Sequence, residues 1–145
     1  MMLSLPEYEV FAVRYAQLER LRRDNFMIPD PHDGPMPMDY FVWLIRGKSE
    51  HFLVDTGFNQ AAADARGRTL LRCPIKALRI LGLSPEDIRE VILTHMHYDH
   101  AGNVDLLPNA RFHLQESELQ YATGRYMRYS PLRHPFNVND VINIV

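Results

Sequence analysis

The sequence has 145 residues, of which 46% are hydrophobic and 23% are charged, and its formal net charge at pH 7 is −2. This length and composition predict one globular domain, or part of one, and argue against disorder. A weakly acidic chain lacks the basic character of a nucleic-acid-binding protein, so no nucleic-acid partner is expected. No apolar stretch approaches the roughly 20 residues of a membrane span, and the first residues lack a secretory-signal pattern. We therefore expect a cytoplasmic protein that does not bind membranes.

The N-terminal part of the sequence predicts β-structure. Residues Glu7 to Ala16 are rich in β-branched and aromatic side chains, which favours a strand. Four prolines and a glycine between Met27 and Asp39 predict a long loop. The apolar runs "YFVWLIRG" and "EHFLVDTG" flank a Gly47-Lys48 turn and predict a β-hairpin.

The remaining sequence alternates helical and strand patterns. "CPIKALRILGL" predicts a helix that stops at Gly82, and "SPED" predicts a short helix capped by Ser84. "EVILT" (90–94) and "ARFHLQ" predict strands, and "ESELQYA" predicts a helix. The final "NVNDVINIV" fits either a strand or a helix capped by Asn139. This order of elements predicts an α/β or α+β fold.

The stretch "THMHYDHAGN" carries four potential metal ligands within six positions, namely His95, His97, Asp99 and His100. Alternate side chains at the end of a strand point the same way, so His95 and His97 can converge on one ion. Asp99 and His100 lie on the next bend and can face a second ion. Left unpaired, polar groups at the exit of a buried strand would cost roughly 1–3 kcal/mol each, and a metal removes that cost. The pattern predicts a metal site, with Gly102 providing the conformational freedom for a sharp turn.

"THMHYDHAGN" resembles the signature motif of the metallo-β-lactamase superfamily, and "FLVDTG" (52–57) resembles its second motif. The resemblance implies an αββα sandwich, with Asp55 as a hydrogen-bond acceptor behind the ligands, because a ligating histidine needs its other ring nitrogen fixed. The family's three later ligands have no match after His100. The resemblance therefore implies that residues 1–145 are the N-terminal portion of one such domain, without its C-terminal half. With two protein ligands per metal, we expect this portion alone to be an inefficient hydrolase.

Over Val91 to Ala122 the sequence is similar to the quorum-quenching N-acyl-homoserine lactonases. This similarity implies a hydrolase that opens a lactone ring through a hydroxide shared by two divalent ions, with an acyl lactone or ester as its small-molecule partner. Zinc is the expected metal, with iron, manganese or cobalt as alternatives. Asp99 would carry the proton to the leaving group.

Apolar side chains of the proline-rich loop could line a pocket for the acyl chain, or they could only pin the loop to the sandwich. The residues concerned are Phe26, Met27, Ile28, Met36, Met38 and Tyr40.

Two other functions stay open. One is a thioesterase resembling glyoxalase II, or another small-ester hydrolase of the same fold. The other is a non-catalytic metal-binding fragment. His97 stands where redox di-iron members carry glutamate, which favours hydrolysis. Half a sandwich would leave one face of its sheet uncovered, which predicts association, with a homodimer as one form it could take.

Four further side chains are expected to be solvent-exposed or structural rather than metal ligands. His32, His113 and His134 lie outside the metal-ligand spacing, and Cys73 is expected to be a packed apolar residue.

Overall fold

A computed structural model describes residues 5–28 and 31–145 of the protein. Its centre is a six-stranded sheet with the strand order β4-β1-β2-β3-β5-β6. The β1-β2, β2-β3 and β1-β4 pairs are antiparallel, whereas β3, β5 and β6 run parallel to one another. The strands are β1 Glu9–Leu18, β2 Met38–Arg46, β3 His51–Val54, β4 Thr69–Leu70, β5 Glu90–Ile92 and β6 Arg111–His113.

Helices and short 3₁₀ turns connect these strands and follow the last of them, so the predicted mixed α/β fold class is confirmed. The α-helices are α1 Gln60–Arg66, α2 Pro74–Ala77, α3 Glu116–Thr123, α4 Ser130–Arg133 and α5 Val138–Ile144. The 3₁₀ turns are Arg22–Asn25, Leu78–Leu81, Pro85–Asp87, Val104–Leu106 and Arg125–Arg128. Across residues 5–28 and 31–145, no helix has the length and apolar character needed to cross a membrane.

The predicted hairpin is confirmed, and its turn is closed by a hydrogen bond from the Gly47 amide to the Glu50 carbonyl at 2.8 Å. Two boundaries were predicted wrongly. The first strand is shifted two residues towards the C-terminus and ends at Leu18, where it still pairs with Met38 of β2. Because Met38 already pairs with Leu18, the proline-rich loop ends before Met38. Residues 29 and 30 of this loop lie outside the described part of the chain.

The helix ends follow their capping residues. Gly82 has a φ of 78°, the left-handed conformation predicted for the residue that stops the 3₁₀ turn after α2. The Ser84 amide and hydroxyl donate to the Asp87 carboxylate at 2.7 and 2.8 Å, which confirms the short capped turn. The C-terminal segment is a helix, but Asn139 is not its cap. Asn137 caps it instead, its side chain accepting from the Asn139 amide at 3.2 Å.

The two faces of the sheet are covered differently. Tyr40, Val42 and Leu44 of β2 are buried among core side chains from the helices and turns of one layer. Their neighbours Phe41 and Trp43 point to the opposite face and are 39% and 44% exposed. Phe41 and Trp43 therefore form an exposed apolar stripe on the other face of this central strand.

Asp140 in the first turn of α5 is buried, with 4% of its surface exposed. Burial and the nearby Asp105 carboxylate raise the pKa of Asp140 to about 6, against an opposing effect of the Arg66 charge. The folded state therefore holds the proton more tightly than the unfolded chain. The resulting stabilisation is complete below about pH 4 and is lost as the pH rises through about 6.

Replacing Asp140 with asparagine is expected to remove this loss and to stabilise the fold by roughly 2 kcal/mol at pH 8, because no buried charge remains. Urea denaturation of both proteins between pH 4 and pH 8 measures the difference. Asp105→Asn serves as the matched variant, since it removes only the repelling charge and should recover a fraction of the effect. A wild type that gains stability between pH 4 and pH 8 relative to Asp140→Asn would contradict the prediction.

Candidate metal centre

Two loops meet at the carboxyl ends of the adjacent parallel strands β3 and β5. The loop after β3 begins at Asp55, whose amide donates to the Ile92 carbonyl at 2.9 Å. The Thr56 amide and hydroxyl both donate to the His100 carbonyl, at 2.8 and 3.0 Å. The Asn103 side-chain amide in turn donates to the Thr56 carbonyl at 3.0 Å. Carboxyl ends of neighbouring parallel strands are a common place for a functional site, because their loops converge there.

The backbone of these loops is unusual at specific positions. Asp55 and Asn103 have φ angles of 63° and 56°, in the left-handed region that Asp and Asn enter more readily than other side chains. The conformational role predicted for Gly102 is wrong, since its φ lies outside that region. Gly102 is instead needed for close approach: its amide donates to the Gly57 carbonyl at 2.9 Å, and a Cβ would lie 2.5 Å from that oxygen.

Asp55 is the buried hydrogen-bond acceptor between the two loops. Its Oδ1 accepts from the Thr94 amide at 2.8 Å and from the Thr94 hydroxyl at 2.9 Å. Its Oδ2 lies 2.7 Å from Nδ1 of His100. The structure thus brings Asp55 to one particular histidine, in the arrangement of a residue that orients a ligating imidazole.

The four predicted ligands share one small region. The ring centroid of His95 lies 4.6 Å from that of His97 and 3.9 Å from that of His100. Nε2 of His100 lies 3.5 Å from Oδ2 of Asp99. The Thr94 hydroxyl is 3.0 Å from Nδ1 of His95. Three imidazoles and a carboxylate therefore lie close together. Thr94 contacts Nδ1 of the His95 ring, and Asp55 contacts that of the His100 ring.

The charges in this cluster are strongly coupled. Burial lowers the pKa of His95, and the neighbouring His100 and His97 lower it further. Burial also opposes charge on His100, but hydrogen bonds to Asp55 and Asp99 outweigh it and raise the pKa of His100 to about 9. Burial opposes charge on Asp99 as well, yet the hydrogen bond from His100 keeps the pKa of Asp99 below its ordinary value. These shifts favour an ion pair between a protonated His100 and the Asp99 carboxylate.

The side chains of this cluster have the right chemistry to bind a divalent ion, but too few of them are grouped to complete a site. Imidazole nitrogen and carboxylate oxygen are the ligands that zinc takes alongside thiolate, and a fixed second ring nitrogen is typical of a ligating histidine. Within the described ranges, however, no three His, Cys, Asp or Glu side chains are grouped as a site that could hold an ion. The donor types therefore suit a divalent ion, whereas the described residues do not group them into a complete site.

Aromatic side chains of the core support residues 95–100, the loop that carries the four predicted ligands and is called the ligand loop below. The Tyr15 hydroxyl donates to the Asp99 carbonyl at 2.9 Å, and burial raises the pKa of this phenol well above its usual range. The Phe58 ring packs against Tyr15 at 5.0 Å and against Tyr98 at 5.5 Å between centroids. The hydroxyls of Tyr98 and Tyr40 are 3.4 Å apart. The loop that carries the four predicted ligands therefore rests on a buried aromatic cluster.

A cavity of about 460 Å³ opens beside His95 and His97. Its other lining residues are Glu118, Tyr121, Pro131, Leu132, Pro135 and Phe136. The Glu118 carboxylate accepts from the amide of Met96, between the two histidines, at 3.1 Å. Sequence reasoning missed Glu118, because an acidic residue in the first turn of a helix has an ordinary explanation as a helix-stabilising charge.

None of the six residues predicted to line an acyl pocket is among the residues that line the cavity beside His95 and His97. Phe26, Met27, Ile28 and Met36 are 46%, 102%, 83% and 38% exposed. Met38 packs partly against the core. Of these six residues, Tyr40 alone has a contact with the ligand loop among the contacts of the described residues, through Tyr98.

His113, His134 and Cys73 lie outside the cluster of predicted ligands. Nε2 of His113 on β6 lies 2.6 Å from the carboxylate of Glu90 on the neighbouring strand β5, and the pair is exposed. The carbonyl of His134 accepts from Arg66. Cys73 is a free thiol that packs against the core.

The chain belongs to the metallo-β-lactamase superfamily, whose sequence profile matches residues 36–122. It is 32% identical over 113 residues to the N-acyl homoserine lactonase AiiB of Agrobacterium fabrum, covering 69% of this chain and 41% of that protein. It is 30% identical over 103 residues to the N-acyl homoserine lactonase AttM of the same organism, covering 62% of this chain and 38% of that protein. The chain thus spans about two fifths of the length of these curated relatives.

Solved structures give the same fold. The dizinc quorum-quenching lactonase AidC, in complex with a product, superimposes with a TM-score of 0.62 at 22% identity, covering 98% of this chain and 54% of AidC. The hydrolase AbOPH superimposes with a TM-score of 0.67 at 16% identity, again covering 98% of this chain and 54% of the other. These similarities establish that the fold is that of the metallo-β-lactamase superfamily.

Proposed function

We propose that the protein carrying these residues is a metal-dependent hydrolase that opens the lactone ring of N-acyl-homoserine lactones. The observation that carries the proposal is the cluster of three imidazoles and Asp99, with Asp55 2.7 Å behind His100. The relatives named N-acyl homoserine lactonases support the choice of substrate. A solved N-acyl homoserine lactone hydrolase with N-hexanoyl-L-homoserine at its catalytic metal center supports it further.

Divalent ions, when bound, would polarise the lactone carbonyl and activate a water for attack. His95 and His97 would hold one ion, and Asp99 and His100 would hold the other. Asp55 would keep Nδ1 of His100 occupied, so that Nε2 is the nitrogen left for the metal. Asp99 would also pass the proton to the departing alkoxide oxygen. Zinc is the metal we propose, and elemental analysis after loading with zinc, iron, manganese or cobalt identifies it.

The histidine cluster is tested by single substitutions in the protein that carries these residues. His97→Ala and Asp99→Ala should each lower the rate of opening of N-hexanoyl-homoserine lactone by about 100-fold or more, because a metal ligand is lost. Chromatographic separation of lactone and ring-opened product measures the rate. His113→Ala is the matched control, since its imidazole pairs with Glu90 outside the cluster. Wild-type turnover in both ligand variants would refute the assigned roles.

Two comparisons decide between the lactonase and its alternatives. A glutathione thioester that reacts faster than the lactone would identify a thioesterase. A protein that binds zinc but opens no lactone, ester or thioester would be a metal-binding fragment without catalysis.

We also propose that side chains of the proline-rich loop and of the start of β2 contribute to the acyl site, with Tyr40 of β2 nearest the ligand loop. Substituting Met36 or Phe26 should then change the preference for acyl-chain length and leave the reaction itself intact. A homodimer formed through the exposed sheet face around Trp43 is a further part of this proposal, and sedimentation measures it.

A further inference from the structure

Arg66, the last residue of α1, contacts two separate segments of the candidate site. Its Nη2 donates to the His134 carbonyl at 2.8 Å and to the Phe136 carbonyl at 3.1 Å. Its guanidinium also lies 3.9 Å from the centroid of the Tyr98 ring. Tyr98 sits between the predicted ligands His97 and Asp99, so one side chain connects the ligand loop with the segment 134–136.

The segment 134–136 lies between α4 and α5 and has no helix or strand to satisfy its carbonyls. The Tyr98 amide donates to the Pro135 carbonyl at 2.9 Å, so three consecutive carbonyls are held by Arg66 and the ligand loop together. These three hydrogen bonds together fix the direction of the segment. Arg68 adds a hydrogen bond from its Nε to the Tyr98 hydroxyl at 3.1 Å.

This segment places the Phe136 ring against the histidine cluster. The Phe136 ring lies edge-on to the His97 imidazole, with 5.0 Å between centroids and an interplanar angle of 84°. On its other side it stacks on Tyr121 at 5.6 Å. Both rings line the cavity beside His95 and His97. The position of the Phe136 ring therefore sets both the orientation of His97 and one wall of the cavity.

We infer that Arg66 is a positioning residue, which holds Phe136 against the His97 imidazole and so fixes the orientation of that ring. This positioning role requires arginine, because one side chain must contact two carbonyls and an aromatic face at once. A guanidinium has several N–H donors in a rigid plane that stacks on a ring, whereas a lysine ammonium cannot supply this geometry. The consequence for zinc binding rests on the proposed function, but the contact itself does not.

The test follows the His97 ring resonances by NMR in the metal-free protein, with and without Arg66. Arg66→Ala should shift these resonances, because the Phe136 ring current is withdrawn, and Arg66→Lys should shift them similarly. In a Phe136→Leu background, the same Arg66 substitutions should have almost no effect on His97. Arg46→Ala is the matched control, since its guanidinium also donates to a backbone carbonyl, that of Leu81, and lies over an aromatic ring, that of Phe11, away from the cluster.

Zinc titration of the same variants provides a second readout, with an expected fivefold or greater loss of affinity for Arg66→Ala and Arg66→Lys and none for Arg46→Ala. Unmoved His97 resonances in Arg66→Lys would overturn the inference, as would a shift of equal size in the Phe136→Leu background. If the resonances move as expected but no variant opens a lactone, the proposed function fails while the positioning role stands. Circular dichroism verifies the fold, and Arg66→Lys carries the test if Arg66→Ala unfolds.

Discussion

Asp55→Asn is expected to lower the affinity for Zn²⁺ by about 10–100-fold, the usual effect of removing a partner that orients a ligating histidine. The carboxylate accepts hydrogen bonds from the Thr94 amide, the Thr94 hydroxyl and His100. A carboxamide offers one acceptor oxygen and turns an NH₂ group towards either Thr94 or His100. Competition against a chromophoric chelator at fixed pH measures the affinity.

The substitution separates chemistry from backbone conformation. Asp55 has a φ of 63°, and asparagine is among the side chains that tolerate this region, so the loop can keep its course. Asp39→Asn is the matched control, because that carboxylate pairs with the exposed Arg14 at 2.7 Å on β1. Equal zinc affinities for wild type and Asp55→Asn would reduce Asp55 to a turn residue.

Local patterns in the sequence predicted the parts of the fold that depend on local physics. The hairpin of β2 and β3 followed from two apolar runs around Gly47, because strand alternation and a glycine turn are short-range properties. Gly82 and Ser84 marked helix ends for the same reason. Helix α1 was missed because "QAAADAR" has too few large apolar residues to give a clear periodicity.

The site was predictable as a set of residues but not as a geometry. The spacing of His95, His97, Asp99 and His100 within six positions identified the cluster, since all four lie on one short loop. Partners from distant segments carry no such signal. Arg66 reaches the Phe136 carbonyl across 70 positions, and Glu118 reaches the Met96 amide across 22. Side-chain to backbone contacts of this kind depend on tertiary structure that local sequence patterns do not encode.

Gly102→Ala is expected to cause the largest loss of stability among the glycine substitutions, about 2–3 kcal/mol, together with a loss of zinc binding. A Cβ at this position would lie 2.5 Å from the Gly57 carbonyl oxygen and 3.2 Å from the Phe58 Cα, both backbone atoms that cannot rotate away. The strain is relieved only by separating the loops after β3 and β5, which also breaks the hydrogen bond from Gly102 to Gly57.

Urea denaturation measures the loss, and two other glycines calibrate it. Gly34→Ala meets nothing within 4 Å and should leave stability unchanged within about 0.5 kcal/mol. Gly67→Ala also has open space, but its φ of 63° should cost about 1 kcal/mol through backbone strain alone. The expected order of stability is therefore Gly34→Ala, then Gly67→Ala, then Gly102→Ala. If Gly102→Ala were as stable as Gly34→Ala and bound zinc normally, the two loops would have room to separate, and the close approach at Gly57 could not be what holds His100 near Asp55.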